Sequence, residues 1–255
     1  MYGLLTLSLA LDYFFSTAIN PDHPFVLFGV SHLLVVLWVI FFGWIVIRTG
    51  MKANEKRRNY IRRVLIVLFL IWEVEWQAWH LITDTWSLQD TLPLHLCSIM
   101  IWFSIYGLWK RKRWTFTLMY FFGIAGAIQA VITPDATYAF PHVRFLNTMF
   151  SHSLLVTSGF WVVFVEGYRP RMKDLWGAFA AINGYAVVMI FVNQALGSKY
   201  LYMGQKPETA SLLDFFPPWP FYFPILEAIL LLVMVGMYLP FRKSEGKRRE
   251  LSPSE

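Results

Sequence analysis

The stretch Leu92-Pro93-Leu94-His95-Leu96-Cys97-Ser98 opens an apolar run about the length of one membrane span. It holds the only cysteine of the chain, with a histidine two positions away. Polar and ionisable groups are costly inside a span, so a functional role is the first reading to test. A cysteine accepts acyl groups when a base stands beside it; without one it is a small buried hydrophobe. On a helix regular from Pro93, His95 and Cys97 stand about 200° apart, since each residue turns about 100°. His95 is therefore a poor base for Cys97, and a histidine from another apolar segment is expected to supply it. His152 lies at a compatible depth.

Other polar residues cluster by helical spacing. Glu73, Gln77 and His80 fall at i, i+4 and i+7 and line one face, with Trp76 beside them. Glu75 and Trp79 make a neighbouring face, and at least one of the two glutamates is expected to turn inward. Asn147 and Ser151 share a face one step from His152, with Thr148 a turn behind. His32, His95, Asn193 and Glu227 fall at similar depth, and the pattern predicts one polar cavity near one end of the spans. For an oxyanion the candidate donors are Asn147, Gln129 and Asn193, and Glu73 is a candidate to orient an imidazole. Plainer roles stand beside these: a neutral glutamic acid bonded across helices, histidines satisfied in networks, and tryptophans of an interfacial belt. Gly123, Gly126, Ala127 and Ala130 read as a helix-packing face of small residues.

These residues are carried by a strongly apolar chain. Of its 255 residues 57% are hydrophobic and only 15% charged, against about 25% charged in soluble domains. Mean hydropathy is +0.49. The composition predicts an all-α, polytopic membrane helix bundle. Seven spans are expected, over 25–47, 61–82, 92–109, 114–133, 145–166, 175–196 and 219–241. Residues 1–24 form an N-terminal segment read as an interfacial helix, on which Ser8, Asp12 and Ser16 recur every four residues. Residues 25–241 are the membrane domain, and 242–255 are a basic tail.

The net charge of +6 follows topology and not nucleic acid. Arg48 to Arg63, Lys110 to Arg113, Arg169 to Lys173 and the tail carry nearly all the basic residues, whereas the alternate loops keep Arg144, Lys199 and Lys206. The positive-inside rule then puts the basic loops and C-terminus in the cytoplasm and the N-terminus outside. No phosphate loop or dinucleotide fingerprint occurs, and one cysteine excludes a thiolate-rich metal site. No cofactor and no metal are expected.

The segments Leu92-Pro93-Leu94-His95-Leu96-Cys97, Gly123-Ile124-Ala125-Gly126-Ala127, Thr133-Pro134-Asp135 and Phe150-Ser151-His152 resemble the YwaF-type integral membrane family. So do Asn193 to Tyr200, Lys206-Pro207 and the run from Ser211 through Pro218-Trp219-Pro220 to Tyr222 and Glu227. This family extends to a eukaryotic transmembrane glycerophospholipid acyltransferase that works through a cysteine and a histidine. It is more remotely similar to androgen-induced membrane hydrolases of lipid esters. The resemblance implies acyl chemistry on membrane lipids, with Cys97 as nucleophile and His152 as base. Two rival functions stand against it: a proton-coupled transporter using Glu73, Glu75 and Glu227, and a non-catalytic lipid-binding scaffold.

Overall fold

A computed structural model describes residues 13–19, 24–134, 136–202, 215–218 and 220–242. Within these the chain forms seven α-helices: α1 Val30–Lys52, α2 Glu55–Ile82, α3 Leu96–Lys110, α4 Arg113–Ile132, α5 Val143–Phe164, α6 Met172–Leu196 and α7 Tyr222–Tyr238. A 3-10 turn, Leu239–Phe241, prolongs α7. Among the described residues there is no strand.

Successive helices run antiparallel, because the connections at one end are too short for anything else. Only Ala53 and Asn54 separate α1 from α2, and only Arg111 and Lys112 separate α3 from α4. We call this the basic end. At the opposite, histidine end the links between helices are longer, over 83–95, 133–142 and 197–221. The start of α1 meets the end of α4 there, where His32 Nε2 lies 2.9 Å from the Val131 carbonyl.

Helix α5 is central and touches α1, α2, α3 and α4, while α7 lies at the side against α6 and α4. The closest approach is between α4 and α5. A methyl group added at Gly159 would lie 2.4 Å from Ile124 Cγ1 and 2.8 Å from the Met119 carbonyl oxygen. Gly159 thus lets the two backbones meet. The expected small-residue face is looser: the same addition at Gly123 or Gly126 would meet only ordinary contacts, at 3.5 Å and 4.0 Å. Outward, α1 presents Val30, Leu34, Leu37, Ile40, Phe41 and Trp44, all exposed. A polypeptide that turns such residues outward over a whole helix is suited to lipid, not water.

Five helices are long and apolar enough to cross a membrane: α1, α2, α4, α6 and α7 with its 3-10 extension. The chain is a multi-pass membrane helix bundle. Helix α3 is apolar but has only 15 residues, and α5, with 22 residues, carries Asn147, Ser151, His152, Ser153, Thr157 and Ser158. A helix overlaps each of the seven expected apolar runs, with shifted ends. Helix α2 begins six residues early, at Glu55, because the Asn54 side chain caps it by accepting from the Arg57 amide at 3.0 Å. Helix α3 begins late, at Leu96, since His95 is extended at φ −68°, ψ 151°. Pro93 favours that extended geometry upstream. Most of the expected N-terminal interfacial helix, with Ser8 and Asp12, lies outside the described residues, as do Lys206 and the tail beyond Arg242.

Candidate functional site

Cys97 is the second residue of α3 and is partly buried. The first intrahelical bond of α3 runs from the Ile99 amide to the His95 carbonyl at 3.0 Å. The amides of Leu96, Cys97 and Ser98 therefore have no acceptor within the helix, and His95 offers no side-chain cap. The thiol stands among them at the positive end of the helix dipole, where negative charge is favoured.

His152, two turns into α5, meets it. The imidazole stands within electrostatic reach of the Cys97 side chain. Its Nδ1 lies 2.6 Å from the Thr148 carbonyl. A carbonyl only accepts, so Nδ1 carries the hydrogen and Nε2 keeps the lone pair. The backbone four residues upstream fixes the tautomer that leaves Nε2 to accept a proton. The partner that orients the ring is the Thr148 carbonyl and not Glu73, because a helical histidine reaches its own i−4 carbonyl more readily than a neighbouring helix.

His95 turns elsewhere. Its ring packs on Tyr200 and Tyr202, with centroids 5.2 Å and 5.4 Å away. The premise of a helix regular from Pro93 fails, since His95 is the extended cap of α3, but the ring still joins the loop after α6. That extended segment is partly buried, and tyrosines satisfy its backbone. The Leu92 amide donates to the Tyr200 hydroxyl at 3.0 Å, and the Tyr185 hydroxyl donates to the Leu94 carbonyl at 2.8 Å. Non-helical backbone at membrane depth requires such internal partners. Burial pushes the Tyr200 phenol above its ordinary value.

The remaining polar residues form separate local networks. Gln77 donates weakly to buried Glu73 at 3.4 Å and to the Thr91 carbonyl at 3.2 Å, while accepting from Trp86 Nε1 at 2.9 Å. Asn147 donates to the Trp72 carbonyl at 2.7 Å and to Glu75. The other Glu75 oxygen, Oε1, is buried without a partner. Asn193 closes the end of α6, donating to the Tyr200 carbonyl at 2.9 Å and accepting from the Tyr200 amide at 3.0 Å. Glu227 on α7 accepts from Asn183 on α6 at 2.9 Å. His32 is fully buried and accepts from the Phe28 amide at 3.0 Å. Gln129 is exposed near the end of α4. Asn147 and Asn193 thus spend their amide groups on structure. The unpaired α3 amides beside the thiol are the better placed donors, and a backbone group carries no mark in residue type.

Two features escaped sequence reasoning. Asn183, the partner of Glu227, reads as one polar residue in an apolar span. Arg144 reads as one loop charge, yet its guanidinium stacks on Trp76 at 3.6 Å and bonds His80 Nε2 at 2.9 Å. The preceding residue but one, His142, caps α5 by accepting from the Arg144 amide at 3.1 Å, while its Nε2 donates to the Ser16 carbonyl at 2.8 Å. Burial, reinforced by the charge of Arg144, pushes this cap histidine below its ordinary value, against the opposing pull of the Ser16 carbonyl.

Comparison with known proteins agrees with a single domain-length relationship. An uncharacterized protein of Treponema pallidum (strain Nichols) is 27% identical over 233 residues, covering 89% of this chain and 94% of its own length. No solved structure matches the chain. The model of the TMEM164 family matches residues 21–238, which span every helix described above. The chain belongs to the TMEM164 family.

Proposed function

We propose that the chain transfers or hydrolyses acyl groups of glycerophospholipid esters, with Cys97 as nucleophile and His152 as general base, working from the outer leaflet. The observation that carries this reading is the tautomer of His152: with Nδ1–H held by the Thr148 carbonyl, Nε2 is the nitrogen left for the Cys97 thiol. The resemblance of the Cys97 and His152 segments to a eukaryotic glycerophospholipid acyltransferase supports it further. The outer-leaflet assignment follows from the basic loops, which put the histidine end outside.

In this reaction the Cys97 proton passes to His152 Nε2, and the thiolate attacks the ester carbonyl carbon. The α3 amides stabilise the oxyanion, a contribution that typically amounts to about 2.7–4 kcal/mol per donor. The carbon–oxygen bond of the ester breaks, and the departing lysolipid oxygen takes the proton from His152. In the second half His152 deprotonates an acceptor hydroxyl or water, which attacks the thioester and releases the sulfur as thiolate. The imidazolium then returns the proton to the sulfur. Protein incubated with phospholipid vesicles and digested should yield a Cys97 peptide heavier by one acyl group, released by neutral hydroxylamine. An unmodified Cys97 peptide, together with unchanged lipid, would count against the thioester.

A further inference from the structure

Among the described residues, Arg144 stands between helices at the histidine end without an ion-pair partner. The sequence keeps basic residues away from this end, and Arg144, in the first turn of α5, is an exception to that bias. Its guanidinium is held in place: one face stacks on Trp76 at 3.6 Å, Trp79 lies at 4.9 Å, and one nitrogen donates to His80 Nε2 at 2.9 Å. A guanidinium only donates, so His80 Nε2 accepts and Nδ1 carries the hydrogen toward the Thr85 hydroxyl at 2.8 Å. Trp79 is fixed in turn through its Nε1, which donates to the Phe15 carbonyl at 3.3 Å. Among the described residues no carboxylate forms an ion pair with Arg144. Glu75 acts on it by charge only, its nearer bond being from Asn147. A guanidinium has five N–H donors, and His80 is the hydrogen-bond partner that Arg144 has among the described residues.

A cation immobilised by aromatic faces and a neutral histidine, with most of its fork unspent, is built for an oxyanion that takes two parallel hydrogen bonds. The first turn of a spanning helix stands at headgroup level, where phosphodiesters lie. We propose that Arg144, framed by Trp76, Trp79 and His80, binds the phosphate of a phospholipid headgroup. Arg144 precedes His152 by eight positions on α5, about 12 Å along the axis, so the phosphate sits outward of the thiol and the lipid's glycerol and chains run inward. Trp76, partly exposed, offers apolar surface to the glycerol side. The assignment does not rest on the thiol chemistry, because binding is read without turnover.

Full-length protein in detergent should retain phosphatidylglycerol over a phosphate-free glycosyl diacylglycerol with the same chains by roughly tenfold or more, as read by native mass spectrometry. Arg144→Gln should erase that preference. Arg144→Lys keeps the charge but not the fork and should leave a small part of it. It also guards against a variant that merely misfolds, as does Trp76→Phe, which should weaken the preference only modestly. Equal retention of the two lipids by wild type, or an unchanged preference in folded Arg144→Gln, would overturn the proposal. So would inorganic phosphate at millimolar concentration that displaces phosphatidylglycerol, since that result assigns the site to a free anion.

Discussion

The two ends of the bundle handle polar groups in opposite ways. At the basic end charge meets charge. Buried Arg62 contacts Glu166 and Glu55, the latter at 2.5 Å, and exposed Arg111 reaches Glu166 at 3.1 Å. Trp161 Nε1 donates to the same Glu166 at 2.7 Å. Arg113 pairs with Asp174 and donates to the Arg169 carbonyl at 2.9 Å. These bonds tie α2, α3 and α5, and separately α4 and α6. At the histidine end no ion pair is found among the described residues: histidine meets carbonyl, amide meets carbonyl, tyrosine meets backbone, and Glu75 and Arg144 bond the neutral Asn147 and His80. What stands there instead, among the described residues, is a thiol beside an imidazole, the first amides of α3 and a guanidinium bonded to a neutral histidine. A saturated network holds helices together, and an unsaturated one is able to bind and react.

The sharpest way to test that contrast is to remove the reacting pair. Cys97→Ala and His152→Ala should each lower transfer of a labelled acyl chain in proteoliposomes by at least about 10³-fold, and the double variant should be little worse, because such residues act as a unit. His95→Ala should be mild, as its ring packs on Tyr200 and Tyr202. Full activity in Cys97→Ala would end the thioester mechanism. A proton-coupled solute uptake lost in Glu73→Gln and kept in Cys97→Ala would instead favour a carrier.

A second test strikes the basic end. Glu166→Gln leaves Arg62 buried, at 3% exposure, with one of its carboxylates gone. Removing one partner of a buried pair costs about 3–5 kcal/mol. Thermal unfolding in detergent should fall accordingly, while turnover per folded molecule stays near wild type. A stable but inactive Glu166→Gln would dissolve the division of labour between the two ends.

The smallest effect belongs to the cap of α5. His142 accepts through Nδ1 from the Arg144 amide, and protonation there removes the acceptor. Its value in the folded protein is depressed, so the unfolded chain binds the extra proton first. The stability it contributes is complete above the unfolded value, near 6.5, and is lost as pH falls from there through the folded one. Unfolding followed between pH 7.5 and 5 should show a modest loss in wild type. His142→Asn keeps a capping acceptor without a titrating ring, and its profile should be flatter. Parallel profiles would remove His142 from the account.

Much of this architecture is legible before folding. The seven apolar runs and the alternation of basic loops anticipate the helices because both answer to lipid, which acts on composition alone. The pairing of Cys97 with His152 was accessible through depth and type. What could not be read were partners supplied by the backbone or by distant side chains. The Thr148 carbonyl, the α3 amides and the tyrosine bonds to Leu92 and Leu94 leave no signature in residue identity. Arg62 looks like one more loop charge until α5 brings Glu166 against it. The expected single cavity dissolved for the same reason. Asn147 bonds the Trp72 carbonyl and Glu75, and Asn193 bonds the Tyr200 backbone, so each belongs to its own network.

One dimension of α3 has a mechanical consequence. Fifteen helical residues extend about 22 Å, whereas a hydrocarbon core is about 30 Å thick. Trp102, Tyr106 and Trp109 on this short helix are exposed, so the surrounding lipid meets it directly. A span shorter than the core is matched by local thinning, at a cost of fractions of a kcal/mol per Å. On the proposed function, thinning at the end of α3 that bears Cys97 would bring ester groups closer to the sulfur.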